Sequence, residues 1–110
     1  MQKNRIPEEE VRLEVLRYLS KCVSGKAKTS TLIKCLTDQL KPNSDDLKII
    51  NGRSDTYFSQ KVRNVVSHRN ESNGIVKLGF ATYHRIGKVG ELQITESGRQ
   101  YIVPQYIINQ

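Results

Sequence analysis

Ser54-Asp55-Thr56-Tyr57-Phe58-Ser59-Gln60-Lys61-Val62-Arg63-Asn64-Val65-Val66-Ser67-His68-Arg69 is the stretch on which the fold turns. Ser54 or Asp55 can cap a helix, because a short side-chain oxygen accepts a bond from an otherwise unpaired first-turn N–H. Phe58, Val62, Val65 and Val66 then recur at i, i+4, i+7 and i+8 and form one apolar stripe. The opposite side carries Thr56, Gln60, Arg63, Asn64 and Ser67, flanked by Tyr57, Lys61 and His68. Such a face is rich in groups that bond phosphates or base edges. The spacing predicts a helix over 54–69, hidden on one side and open to a nucleic acid on the other. A merely solvated face is the competing reading.

Charge supports the first of these. The chain has 110 residues, 36% hydrophobic and 26% charged, which suits one globular domain with a modest core. Its net charge of +7 favours an anionic partner, nucleic acid before a membrane surface. Residues 53–69 hold Arg53, Lys61, Arg63 and Arg69 against Asp55 alone, the densest unopposed positive segment. No apolar run approaches the ~20 residues that cross a bilayer, so no membrane span is expected. Cys22 and Cys35 form neither a CxxC pair nor a disulfide framework, which points to a reducing, cytoplasmic setting.

Before the central stretch, residues 1–5 read as a mobile basic arm. A first helix is expected from about Pro7 to Cys22, with Glu8, Glu9 and Glu10 at the positive end of its dipole. Leu13 lies off its apolar stripe, as a lone exposed leucine or part of a subunit contact. Ser24 to Lys28 reads as a helix C-cap and turn. Thr29 or Ser30 is expected to cap a second helix through Leu32, Ile33, Leu36 and Leu40, stopped by Pro42. A connector follows, with a helical turn at Asp45–Ile50 docking Leu47 and Ile50. Asn51-Gly52 marks a tight turn.

After Gly74 the period becomes two. Ile75, Val76 and Leu78 lead into an alternating run from Phe80 to Ile86, and Gly87 to Gly90 turns it back along Glu91 to Thr95. His84, Arg85 and Lys88 give the hairpin a basic tip. Thr95 is expected to cap a last helix, Glu96 to Ile102, and residues 103–110 form an apolar tail. The order describes an α+β, mainly α, winged helix-turn-helix: a three-helix core, a β-hairpin wing and a short C-terminal helix, in one domain spanning 1–110.

Asn51-Gly52-Arg53, Phe58, Val62-Arg63, Gly74-Ile75 and the run Gly90-Glu91-Leu92-Gln93-Ile94-Thr95-Glu96-Ser97-Gly98-Arg99 resemble the winged-helix domain at the N-terminus of Mrr-type restriction endonucleases. The resemblance covers roughly residues 6–102. It implies a DNA-recognition module of a restriction-type nuclease. The segment from Ser67 to Ile75 is longer and more polar than that family's Leu-Lys-Lys-Ala-Gly-Leu run into the wing.

No catalytic or metal constellation is expected. His68 and His84 lack the spacing of a zinc motif, and Glu91-Leu92-Gln93 lacks the lysine of a nuclease acid–Glu-x-Lys pattern. No cofactor is implied. The expected partner is double-stranded DNA, read by Gln60, Arg63 and Asn64. Arg53, Thr56, Ser59 and Lys61 would hold phosphates, Tyr57 would touch a phosphate or a thymine methyl, and Ser67 and His68 would border them. Arg85 and Lys88 would engage backbone or minor groove. Arg69, on the apolar side, is expected to cap the helix C-terminus or form a partly buried ion pair. A small regulator is the other DNA-binding role, and a homodimer or a larger nuclease partner also fits the pattern. The rival from another class is a non-catalytic protein-interaction or dimerisation module, with Leu13 and the tail as its seam.

Overall fold

The computed structural model describes residues 6–50, 52 and 55–103. The arm at 1–5, Asn51, Arg53, Ser54 and residues 104–110 of the tail lie outside the described residues. Among the described residues the fold is α+β, with four helices and one three-stranded antiparallel sheet.

Helix α1 (Glu8–Lys21) starts after Pro7, whose carbonyl accepts the Val11 N–H at 3.1 Å. Its three first-turn glutamates face the positive dipole end. A turn over 22–25, closed by the Gly25 N–H on the Cys22 carbonyl at 3.1 Å, leads into strand β1 (Lys26–Lys28), where the sequence suggested that the turn runs on to Lys28. Ala27 is the inward residue between two exposed lysines, and three residues are too few to display a period. β1 runs straight into helix α2 (Thr29–Leu40), so Lys28 occupies the cap position and neither Thr29 nor Ser30 caps it. Lys41, in the left-handed region, ends α2 just before Pro42.

Helix α3 (Tyr57–Ser67) is capped by Thr56, one or two residues later than the sequence suggests. Thr56 and Ser59 form a reciprocal capping box: Thr56 Oγ1 accepts the Ser59 N–H at 3.0 Å, and Ser59 Oγ accepts the Thr56 N–H at 2.8 Å. The preceding connector packs differently from expectation. Asp46 is its fully buried residue, while Leu47 stays 42% exposed. Backbone bonds from Phe58 N to Asp46 O and from Tyr57 N to Lys48 O tie the connector to the start of α3.

Ile75 to Gly79 form turns rather than a strand, folded back by the Val76 and Lys77 N–H groups onto the Arg69 carbonyl. Strands β2 (Ala81–Ile86) and β3 (Val89–Ile94) make the expected hairpin around Gly87-Lys88. β1 pairs with β3 from Lys26↔Gln93 to Lys28↔Glu91, giving the order β1-β3-β2. Thr95 caps helix α4 (Glu96–Tyr101) by accepting the Gly98 N–H at 3.0 Å. Phe80 and Tyr101 stack with ring centroids 4.1 Å apart.

The stripes meet as the periodicity demands. Val11, Val15, Leu16 and Leu19 of α1, Leu32 and Leu36 of α2, and Phe58, Val62 and Val65 of α3 are buried together. Ala27, Ala81, Leu92 and Ile94 of the sheet close the same core. Burying each large aliphatic or aromatic side chain contributes roughly 1.5–3 kcal/mol, so this single cluster dominates folding.

Candidate nucleic-acid interface

Burying Phe58, Val62 and Val65 against α1 and α2 turns the polar side of α3 outward, and the two flanks of that side differ. On the flank beside the start of α1, side chains are consumed internally. Gln60 Nε2 donates to Asn64 Oδ1 at 2.8 Å, and Asn64 Nδ2 reaches Glu8 Oε1 at 3.5 Å. His68 Nδ1 lies 2.9 Å from Glu8 Oε2, which holds the imidazole pKa above its usual value against an opposing desolvation effect. Lys61 Nζ donates to Asp46 Oδ1 at 2.7 Å and to the Ile6 carbonyl. Asp46 Oδ2 in turn accepts the Ile6 N–H at 2.7 Å, so the buried carboxylate is satisfied from two sides.

The other flank forms a cleft with the hairpin. Arg63 and Ser67 from α3, Arg85 and Lys88 from the hairpin, and Thr29 at the start of α2 line it, with Val66, Tyr83 and Gly90 at its base. Three cations and the hydroxyls of Thr29, Ser67 and Tyr83 face one open groove, and none of the described residues lining it carries a carboxylate. Arg63 Nε also pairs with Asp55 Oδ1 at 3.0 Å, yet its side chain stays 49% exposed. Arg85 Nε donates to the Gly87 carbonyl at 3.1 Å, which holds the guanidinium at the hairpin tip.

The hairpin is braced against α3. Tyr83 lies over the Arg69 guanidinium at 4.0 Å, and Arg69 Nη1 donates to the Val66 carbonyl at 2.7 Å. Arg69 thus caps the C-terminal end of α3, as its position on the wheel suggested. In the β2–β3 register Arg85 is opposite Gly90, and a side chain at Gly90 would strike the Tyr83 ring. The glycine therefore leaves room for Tyr83 to reach Arg69.

Several sequence-based assignments need correction. Thr56 and Ser59 serve the helix cap, and Ser59 is buried, so neither is poised for a phosphate. Lys61 is a structural ion-pair residue rather than a free phosphate anchor. Gln60, Asn64 and His68 are chained to one another or to Glu8 instead of standing open. Tyr57 is half-buried, and Arg53 lies outside the described residues. Arg63, Ser67, Arg85 and Lys88 do come together. Sequence reasoning missed Thr29, whose place follows from the unrecognised β1, and Glu8 and Asp46, whose contacts span more than a dozen residues of chain.

Among the described residues no three His, Cys, Asp or Glu side chains gather as metal ligands. Cys22 and Cys35 are free thiols. Tyr18 donates to Cys35 Sγ at 3.3 Å, and this bond, followed by burial, pushes the phenol up to about 12. Among the described residues no helix is long and apolar enough to cross a membrane. Compared with protein-family models, curated proteins and solved structures, the chain finds no match.

Proposed function

We propose that the chain is a winged helix-turn-helix module that binds duplex DNA through the cleft between α3 and the β2–β3 hairpin. One observation carries this reading: Arg63, Ser67, Arg85 and Lys88, from two elements distant in sequence, line one open groove with no carboxylate among its described lining residues, and Arg63 stays 49% exposed beside Asp55. The helix–strand–helix–helix–hairpin order, with the hairpin beside the third helix, supports the winged-helix assignment. An α3 of 11 residues is about 16 Å long, enough to lie in a major groove.

In this reading Arg63 is the base-reading residue, since its planar fork matches a guanine edge and Asp55 orients it. Arg85 and Lys88, as the wing, contact phosphates or the minor groove, and Ser67 and Thr29 hold backbone. Gln60 and Asn64 position α3 through Glu8 and are not the principal readers. The role is non-catalytic and cytoplasmic, as a small regulator or as the recognition part of a restriction-type nuclease. Gel-shift titration tests it: Arg63→Ala should cost about 1–3 kcal/mol and narrow the gap between preferred and random duplex. Unchanged affinity and preference would remove α3 from the interface.

A second reading has its own observation. Asp46, Asp55 and Glu8 engage Lys61, Arg63 and Asn64 of α3 respectively, so much of that helix's polarity is satisfied within the molecule. This leaves fewer α3 groups for a duplex and is the observation on which a protein-interaction module rests. A protein that ignores random duplex even at low salt would select it.

A further inference from the structure

α1 turns Val11, Val15, Leu16 and Leu19 inward and leaves Glu9, Leu13 and Arg17 on its far side. These three stand four residues apart and make one ridge along the helix. Glu9 and Arg17 are exposed, and Leu13 is half-buried. Leu13 borders two concavities. One is an apolar groove floored by Leu16, Ile75, Leu78, Phe80 and Tyr101, with Glu9 and Arg12 at its rim; the other is framed by Pro7, Glu9 and Glu10. Leu78 and Tyr101 are 49% and 54% exposed, so apolar surface continues past the ridge.

Charge along the ridge is segregated. The first turn of α1 is Glu8-Glu9-Glu10, while Arg12, Arg17 and Lys21 follow with Glu14 as the one acid among them, and on the ridge itself Glu9 stands at one end and Arg17 at the other. We propose that this face binds a second copy of the chain, α1 against α1, antiparallel about a two-fold axis at Leu13. Antiparallel pairing centred on position 13 sets position 9 of each copy against position 17 of the other. Glu9 then meets Arg17 twice, the two leucines meet at the axis, and the helix dipoles oppose. A two-fold interface must be self-complementary. A ridge with acid at one end, base at the other and leucine midway meets that requirement only when the helices run antiparallel. Arg17 already lies 2.7 Å from Glu14, so it enters the seam as a bridging cation. None of Arg63, Ser67, Arg85 and Lys88 lines either concavity, so the proposed seam uses none of the cleft residues.

Sedimentation velocity on the full chain, from low micromolar to near-millimolar concentration, tests the interface. A concentration-dependent dimer is expected, weaker at high salt because its rim is charged. Leu13→Glu and Arg17→Glu should each weaken it at least about tenfold, a loss of about 1.4 kcal/mol. Combining Glu9→Arg with Arg17→Glu should restore it, because the swapped charges again oppose across the axis. Far-UV circular dichroism distinguishes lost association from lost folding. A chain monomeric throughout the range overturns the proposal, as does a dimer that Leu13→Glu and Arg17→Glu leave intact. Duplex binding by a monomer would leave the DNA reading standing while this one fails.

Discussion

Lys61 Nζ sits 2.7 Å from Oδ1 of Asp46, whose side chain is fully buried. The pair joins α3 to the connector before it, and through Ile6 it also fixes the chain entering α1. Removing one partner leaves a charge buried without compensation. Asp46→Asn or Lys61→Met is therefore expected to lower stability by about 3–5 kcal/mol. Urea unfolding followed by circular dichroism measures it, and a loss below 1 kcal/mol, about what an exposed pair contributes, would show that the pair is solvated.

The Thr56–Ser59 capping box makes a smaller, local prediction. Each hydroxyl satisfies a backbone N–H that the first turn of α3 would otherwise leave open. Thr56→Ala should cost about 1 kcal/mol. Because Thr56 is a capping residue, its DNA affinity should fall no further than stability explains, which anisotropy on the folded variant can check.

His68 links α3 to Glu8 at the start of α1, with Arg12 and Glu71 also nearby. Its folded pKa is raised, chiefly by the bond to Glu8. A raised folded value means that the protonated imidazole stabilises the fold fully below the unfolded value near 6.5. That contribution is lost as pH rises through the higher folded value. Melting temperatures of the wild type and His68→Gln should differ most below pH 6.5 and draw together as pH rises beyond it. A gap that is constant from pH 6 to 8 would remove the charge pair from the explanation.

Gly90 makes a prediction about the brace. A methyl there collides with Tyr83, whose ring covers the Arg69 guanidinium. Gly90→Ala is expected to cost about 1–3 kcal/mol by overpacking, and Tyr83→Ala in the same chain should recover part of that. Additive losses in the double variant would mean that the two residues do not touch.

These contacts show where sequence reading succeeds. Phe58, Val62 and Val65 announced a helix by period, and the Phe80–Thr95 alternation announced a hairpin, because both signals are local and repeated. β1 escaped notice because Lys26-Ala27-Lys28 spans a single alternation, and its pairing with β3 lies over sixty residues away. The polar side of α3 was legible in its residue types but not in its availability. Nothing in the spacing of Gln60, Lys61, Asn64 and His68 shows that Glu8 and Asp46 fold back onto them. Arg63, Ser67, Arg85 and Lys88 were each legible as candidates, whereas their meeting in one groove depends on the Tyr83–Arg69 brace.

The salt dependence of duplex binding tests the cleft most directly. Fluorescence anisotropy with random duplex should give a log–log slope set by the number of phosphates neutralised. Arg85→Ala/Lys88→Ala should reduce that slope by about 2. A Gln60→Ala/Asn64→Ala chain should keep the wild-type slope. An unchanged slope in the Arg85/Lys88 variant, or no duplex binding by the wild type at low salt, would contradict a DNA-binding cleft between α3 and the hairpin.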